Sequence, residues 1–347
     1  MHPVTLAPNQ PADRFYRGGE RIAAFRDGAR LPAPDAPALL RTPEDWVGSC
    51  TTLFGERELG LSRLPDGRLL REAVEADPVA WLGAAHVERY GADVGLLVKL
   101  LDAGERLPVH VHPDVPFARE HLGLAHGKTE AWIVLAPCRV GLGFTRDVSR
   151  EELDRWVGEQ DVAGMLGAMH HLEVSPGDAV LVPAGTAHAI GAGALVVELQ
   201  EPTDLSILME WQDFAIDGPR DGHLGLGFPT ALGAVDRRAS SADDVRALVQ
   251  ARAGTRGELL PGGTAFFRAD RLGAGDAWPA GFAVVVVTHG VGRLVGHGSG
   301  EPGGGVEPVE VTAGQTLLVP AAWGDVTVED AGDAEPVELV LCRPPLP

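Results

Sequence analysis

Short runs of Val, Leu and Ile alternate along this chain with clusters of Gly, Pro, Asp and Ser. Apolar runs of about 4–8 residues bounded by turn residues are the mark of strands, and their number makes the chain mainly β. The pattern predicts strands at Val94–Leu101, Glu130–Leu135, Ala179–Val182, Ala194–Gln200, Ala283–Thr288, Gln315–Val319 and Val337–Leu341. Helices are fewer. Ser149 stands three residues before Glu152, a capping-box pattern that opens a helix over Arg150–Val157. A second apolar period covers Asp161–Met169 and a third Ala242–Ala251.

One stretch recurs. Gly177-Asp-Ala-Val-Leu-Val-Pro183-Ala-Gly185 returns as Gly314-Gln-Thr-Leu-Leu-Val-Pro320-Ala-Ala322, with five residues between Gly and Pro in both copies. The glycine suits a tight turn into a strand, and the proline ends the strand where no ladder donor is needed. Two related β-barrels account for the repeat. We place the first at residues 1–253, with a helical insertion at about 145–172, and the second at residues 254–347, with the Gly-rich stretch Gly254–Gly263 as part of the join. The run Gly298–Gly305 reads as a loop, since no helix pattern follows it to make a phosphate cradle.

The chain has 347 residues, 45% apolar and 22% charged, as in globular proteins with a sizeable core. Its formal net charge of −20 disfavours nucleic acid or an anionic membrane as partner, so an anionic substrate must meet a local basic exception. No apolar run is long enough to span a bilayer, and no basic stretch followed by an apolar one opens the chain, which points to a cytoplasmic location. Cys50, Cys138 and Cys342 are too scattered for a disulfide framework or a Cys-x-x-Cys zinc site, and read as ordinary thiols.

The chemistry concentrates in Pro108-Val-His110-Val-His112-Pro113-Asp114, then Gly127-Lys128-Thr129-Glu130, and finally Pro183-Ala-Gly185-Thr-Ala-His188. On a strand, residues i and i+2 share a face, so His110 and His112 aim at one point, as two ligands of one metal ion must. Glu198 lies in an otherwise apolar strand, where an inward carboxylate has a raised pKa.

Together these segments resemble the two motifs of the cupin superfamily, small antiparallel barrels that bring three histidines and a glutamate to one metal. Gly127-Lys128-Thr129-Glu130-Ala-Trp132 and Pro183-Ala-Gly-Thr-Ala-His188-Ala-Ile-Gly191, running on to Val197-Glu198-Leu-Gln200, resemble more narrowly the type I phosphomannose isomerases. That resemblance implies two cupin-type jelly-roll barrels, the second degenerate. It also implies one divalent metal ion, zinc, on His110, His112, Glu130 and His188, with Lys128 and Glu198 as catalytic candidates. The implied activity is interconversion of mannose 6-phosphate and fructose 6-phosphate through an enediol, with a small sugar or sugar phosphate as partner. Oligomeric state is left open.

Two positions depart from the family pattern. His110 stands where relatives commonly place Gln. In Gln200-Glu-Pro-Thr-Asp204-Leu-Ser-Ile-Leu208-Met-Glu210-Trp211 the family's active-site arginine is absent, with Leu208 as the nearest counterpart. Loss of a bidentate cation weakens the case for a phosphorylated substrate unless Arg220 or another arginine reaches in. The alternatives are therefore an isomerase of an unphosphorylated sugar or polyol derivative, and a non-catalytic sugar-binding cupin. Three imidazoles and a carboxylate also suit oxygen-consuming iron cupins, to which the resemblance does not point. His223 is a further pocket candidate. In the second repeat Asp325 matches His188, and His289 and His297 are eight apart, so no metal is expected there.

Overall fold

The computed structural model describes residues 1–33, 36–252, 254–298, 307–332 and 334–347. Beyond Gly298, the run expected as a loop falls outside them. In chain order the strands are β1 (Val4–Thr5), β2 (Glu44–Val47), β3 (Leu97–Asp102), β4 (His110–Val111), β5 (Glu130–Ala136), β6 (Cys138–Phe144), β7 (Met169–Val174), β8 (Ala179–Val182), β9 (His188–Ile190), β10 (Leu195–Gln200), β11 (Ile207–Leu208) and β12 (Val249–Gln250). They continue as β13 (Gly257–Glu258), β14 (Arg268–Gly273), β15 (Ala277–Trp278), β16 (Ala283–His289), β17 (Val291–His297), β18 (Val309–Thr312), β19 (Thr316–Val319), β20 (Asp325–Asp330) and β21 (Glu338–Arg343). Each of the seven predicted strands is present within a few residues of its expected ends.

The strands form two sandwiches of cupin-like type. In the first, a six-stranded sheet ordered β12-β8-β5-β10-β3-β2 is matched with a five-stranded sheet ordered β11-β4-β9-β6-β7. Trp132, Val134 and Val196 of the larger sheet share a core with Val140, Leu142 and Ile190 of the smaller. In the second, the sheet β1-β19-β16-β21-β14-β13 is matched with β15-β20-β17-β18. Val285, Val287, Leu339 and Leu341 there pack with Leu294, Val326 and Val328.

The outer faces of the two six-stranded sheets share a third core, where Val98, Leu100, Ile133 and Val197 join Val284, Val286, Leu318 and Val340. This explains the unbroken apolar runs. In β16 the side chains of Val284 and Val286 go to the shared core and those of Val285 and Val287 to the second sandwich, so none of these four positions can be polar. The repeated Gly–Pro frame behaves as expected: Gly177 (φ 94°) and Gly314 (φ 89°) turn the chain into β8 and β19.

Differences from the sequence reading have local causes. Val4–Thr5, expected with the first unit, pairs with β19 at the edge of the second sandwich. The helix expected over Ala242–Ala251 stops at Ala247, because Val249 and Gln250 pair with Val180 and Ala179. The helices Arg150–Glu159 and Val162–Gly167 occupy the predicted insertion, the first capped by the Ser149 hydroxyl accepting from the Glu152 amide. The helices Leu70–Ala76, Pro78–Leu82 and Ala84–Tyr90 were not predicted; each is too short to display a period, and the first two are held by burying Leu70, Val74, Trp81 and Leu82 in the shared core. No helix among the described residues is long and apolar enough to cross a membrane.

A buried ion pair fastens the N-terminal segment across this junction. Arg26 contacts Asp45 of β2 at 2.5 Å and donates to the Thr316 hydroxyl of β19 at 2.7 Å, while the other Asp45 oxygen accepts from the Asn9 amide at 2.8 Å. Removing one member leaves a buried charge unpaired. Asp45→Ala is expected to lower stability by about 3 kcal/mol, read as a drop in the urea midpoint; an unchanged midpoint would remove the pair from the account of how the two sandwiches are joined.

Candidate functional site

Strand register places the polar side chains inside the first sandwich. On β10 the odd positions Leu195, Val197 and Leu199 face the shared core, which turns Val196, Glu198 and Gln200 inward. Glu198 lies directly between Lys99 of β3 and Trp132 of β5, and Gln200 lies opposite Glu130. On the facing sheet His110 is flanked by His188 of β9 and by Leu208 of β11. The two sheets thus bring residues from four separate parts of the sequence to one end of the barrel.

His110, His112 and His188 form one cluster, with ring nitrogens within 4.8 Å of one another, and this group could hold a metal ion. Their ring centroids are 4.1 to 4.9 Å apart. Each Nδ1–H donates to a backbone carbonyl: His110 to Pro108 at 2.8 Å, His112 to Leu205 at 2.7 Å and His188 to Thr186 at 2.8 Å. Those bonds fix the tautomer and leave every Nε2 with a lone pair directed at the cluster. Glu130 completes it, 3.0 Å from His112 Nε2 and 3.4 Å from His188 Nε2. Lone pairs facing a carboxylate need a cation among them. His188 Nε2 is buried with no hydrogen-bond partner, and Lys128 Nζ, 2.8 Å from His112 Nε2 and 2.5 Å from Glu130, is the cation at hand. Burial, and then Lys128, drive the His112 pKa down to about 3, while burial and the other two histidines hold His110 well below its ordinary value.

From this cluster a chain of buried charges runs along the wall of a cavity of about 210 Å³. Lys128 is 3.8 Å from Glu198, Glu198 is 3.8 Å from Lys99, Lys99 is 3.4 Å from Glu44, and Glu44 is 3.3 Å from Arg14. Glu44 also accepts from the Tyr16 hydroxyl at 2.6 Å and Trp46 Nε1 at 2.7 Å, and Lys99 sits 4.5 Å over the Trp46 ring. Burial opposes ionisation of Glu130 and Glu44, but Lys128 with His112 in one case and Arg14 with Lys99 in the other outweigh it and hold both carboxyls well below their ordinary values. Glu198 differs: burial first, then Glu130, push its pKa up to about 7, and its Oε1 has no hydrogen-bond partner.

Lys128, Glu130 and Glu198 therefore lie together with the three histidines, as the motifs placed them. Leu208 lines the cavity. Arg220 does not: its side chain is 73% exposed and paired with Asp221. His223 turns to the Pro219 carbonyl and the Phe228 ring. Arg14, Tyr16, Glu44, Lys99 and Asp204 also line the cavity and were missed. Lys99 carried a usable signal, because the chain has only two lysines and Lys99, like Glu198, interrupts an apolar strand.

The raised pKa of Glu198 fixes the sign of a pH effect. The folded state holds a proton up to about pH 7 that an ordinary carboxyl releases near 4.5, so this contribution to stability is full at low pH and is lost as pH rises through 7. In chelator-treated protein, Glu198→Gln should gain on the order of 1–3 kcal/mol over the wild type between pH 5 and pH 8. Parallel urea curves at the two pH values would show that Glu198 ionises freely in place.

No family model matches the chain. It is 32% identical over 211 residues to a Bacillus subtilis protein named probable mannose-6-phosphate isomerase GmuF, covering 58% of this chain and 59% of that protein. It is 38% identical over 198 residues to the mannose-6-phosphate isomerase ManA of the same organism, covering 54% of each. The chain thus matches rather more than half the length of these relatives. Two solved structures superpose on nearly all of it: mannose 6-phosphate isomerase from Bacillus subtilis, with 98% of this chain and 99% of that one covered at 21% identity and a TM-score of 0.64, and a variant of phosphomannose isomerase from Salmonella typhimurium, with both chains covered completely at 15% identity and a TM-score of 0.71. The fold is thus shared with these isomerase structures throughout, and over rather more than half of its length the sequence is similar to mannose-6-phosphate isomerases.

Proposed function

We propose that this chain is a metal-dependent aldose–ketose isomerase that interconverts mannose 6-phosphate and fructose 6-phosphate. The observation that carries the reading is the side-by-side placement of a lone-pair cluster, His110, His112 and His188 with Glu130, and a carboxyl, Glu198, whose Oε1 accepts no hydrogen bond and whose pKa is raised to about 7. Residues 1–253 form the catalytic unit in this reading, and residues 254–347 support its outer face.

The donor set fits zinc. His110, His112 and His188 offer neutral Nε2 atoms with their Nδ1–H groups already engaged, and Glu130 supplies the anionic oxygen. A zinc ion held there would draw charge from the sugar oxygens at C1 and C2 and stabilise the enediolate oxygen. Glu198 Oε1 takes the proton from C2 of the aldose and returns it to C1 while the hydroxyl proton of O2 passes to O1, and a pKa near 7 suits the carbon-to-carbon transfer in both directions. Lys128 directs its ammonium at the same oxygens and keeps charge balanced beside Glu130 and Glu198. Leu101, Leu107, Ile190 and Leu208 line the cavity with apolar surface that limits exchange of the transferred proton with water.

The test is conversion of mannose 6-phosphate to fructose 6-phosphate by metal-replete protein, before and after chelation. Chelator-sensitive turnover is expected, and silence on both mannose 6-phosphate and free mannose would overturn the reading. His112→Ala and His188→Ala should each lose bound metal and turnover while the second sandwich stays folded; metal stoichiometry kept in either would move the site elsewhere. Glu198→Gln should keep its metal and lose at least about 100-fold in kcat.

A further inference from the structure

Resting on the isomerase reading, we infer that Arg14 is an oxyanion subsite that holds the phosphate of the sugar phosphate at the end of the cavity remote from the histidines. Arg14 is the one guanidinium lining this cavity among the described residues. Its side chain is 14% exposed, yet its fork is largely unspent: Nη2 makes a single 3.3 Å contact with Glu44, and Nε is buried with no partner at all. Arg14 therefore lines the cavity with more donors than its one contact uses, and a phosphate monoester presents the paired oxygens that such a fork binds best.

The surroundings support the assignment. Glu44 has Tyr16, Trp46 and Lys99 as partners besides Arg14, so a ligand that also engaged Arg14 would not strand the carboxylate. Lys99 and Lys128, the other cations of the cavity, are each committed to carboxylates. Leu208 puts no charge beside His110, and Arg220 faces solvent. The ion-pair chain has the histidine cluster at one end and Arg14 at the other, so a sugar with C1 and C2 at the histidines has its far end free to approach Arg14. The loop bearing Arg14 is itself pinned, since its amide donates to the Arg41 carbonyl at 3.1 Å and its carbonyl accepts from Arg41 Nη1 at 3.4 Å. In a chain of formal charge −20, such a local cation is what admits a dianion.

The experiment compares wild type, Arg14→Lys and Arg14→Gln in two measurements. The first is kcat/KM for mannose 6-phosphate relative to free mannose; the second is the shift in melting temperature produced by inorganic phosphate. The expected result is a fall in the kcat/KM ratio of roughly 10- to 100-fold in Arg14→Gln, carried by KM, with partial rescue in Arg14→Lys. The phosphate-induced shift should disappear in Arg14→Gln. An unchanged ratio, or a wild-type enzyme that turns over free mannose and not the phosphate ester, overturns the subsite and leaves the isomerase standing. Silence on both sugars overturns the isomerase instead, and the phosphate-induced shift then still decides the subsite: its loss in Arg14→Gln supports it, and its persistence there or its absence from the wild type removes it.

Discussion

The structure is organised around one electrostatic constraint: the first sandwich keeps a row of charged side chains out of water. Glu130, Lys128, Glu198, Lys99 and Glu44 are all buried, and each is tolerable only because a neighbour of opposite sign lies within 4 Å. A buried charge without a partner costs several kcal/mol, more than most single contacts return. The register of β2, β3, β5 and β10 is bound by this condition. A slip of one residue in β3 would turn Lys99 out into the apolar core shared with the second sandwich and leave Glu44 and Glu198 without their counter-charge.

The second sandwich acts on the other side of the same sheet. The outer face of the larger sheet of the first sandwich is apolar, through Val98, Leu100, Ile133 and Val197, and needs a cover. The second six-stranded sheet supplies it, with the helices Leu70–Ala76 and Pro78–Leu82 filling the space between. Rigidity at the site follows. Three backbone carbonyls, of Pro108, Leu205 and Thr186, hold the histidine rings, and each belongs to a segment beside a strand of the five-stranded sheet. His188 Nε2, Glu198 Oε1 and Arg14 Nε are among the buried atoms without a hydrogen-bond partner; others, such as Asp102 Oδ1, Arg271 Nε and Trp323 Nε1, lie away from the cavity.

The strands were legible because burial on both faces writes long apolar runs, as at Ala283–His289, and because Gly177 and Gly314 mark their entries. Helices such as Leu70–Ala76 and Pro78–Leu82 were not, since their reason to be helical lies in burying Leu70, Val74, Trp81 and Leu82 in the shared core, while the equally short Val162–Gly167 carried an apolar period. At the site, His110, His112, Glu130 and His188 could be read from spacing and resemblance, as could Lys128 and Glu198. Arg14, Tyr16 and Glu44 could not, because each reaches the cavity from a segment with no motif of its own, and only the pairing of β2 with β3 places them there.

By itself, then, the sequence determined the strand-rich class, the repeat of two units, and the identity of side chains too polar for the strands that carry them. Those are local properties: alternation, turn chemistry, and a charge set in an apolar run. Tertiary structure alone decided which charges meet. Whether Lys99 faces Glu198 or solvent, whether Leu208 or Arg220 stands beside His110, and whether Arg14 lines the cavity depend on register and sheet packing across tens to hundreds of residues. Electrostatic energy depends on distance in space, and separation along the chain does not encode it.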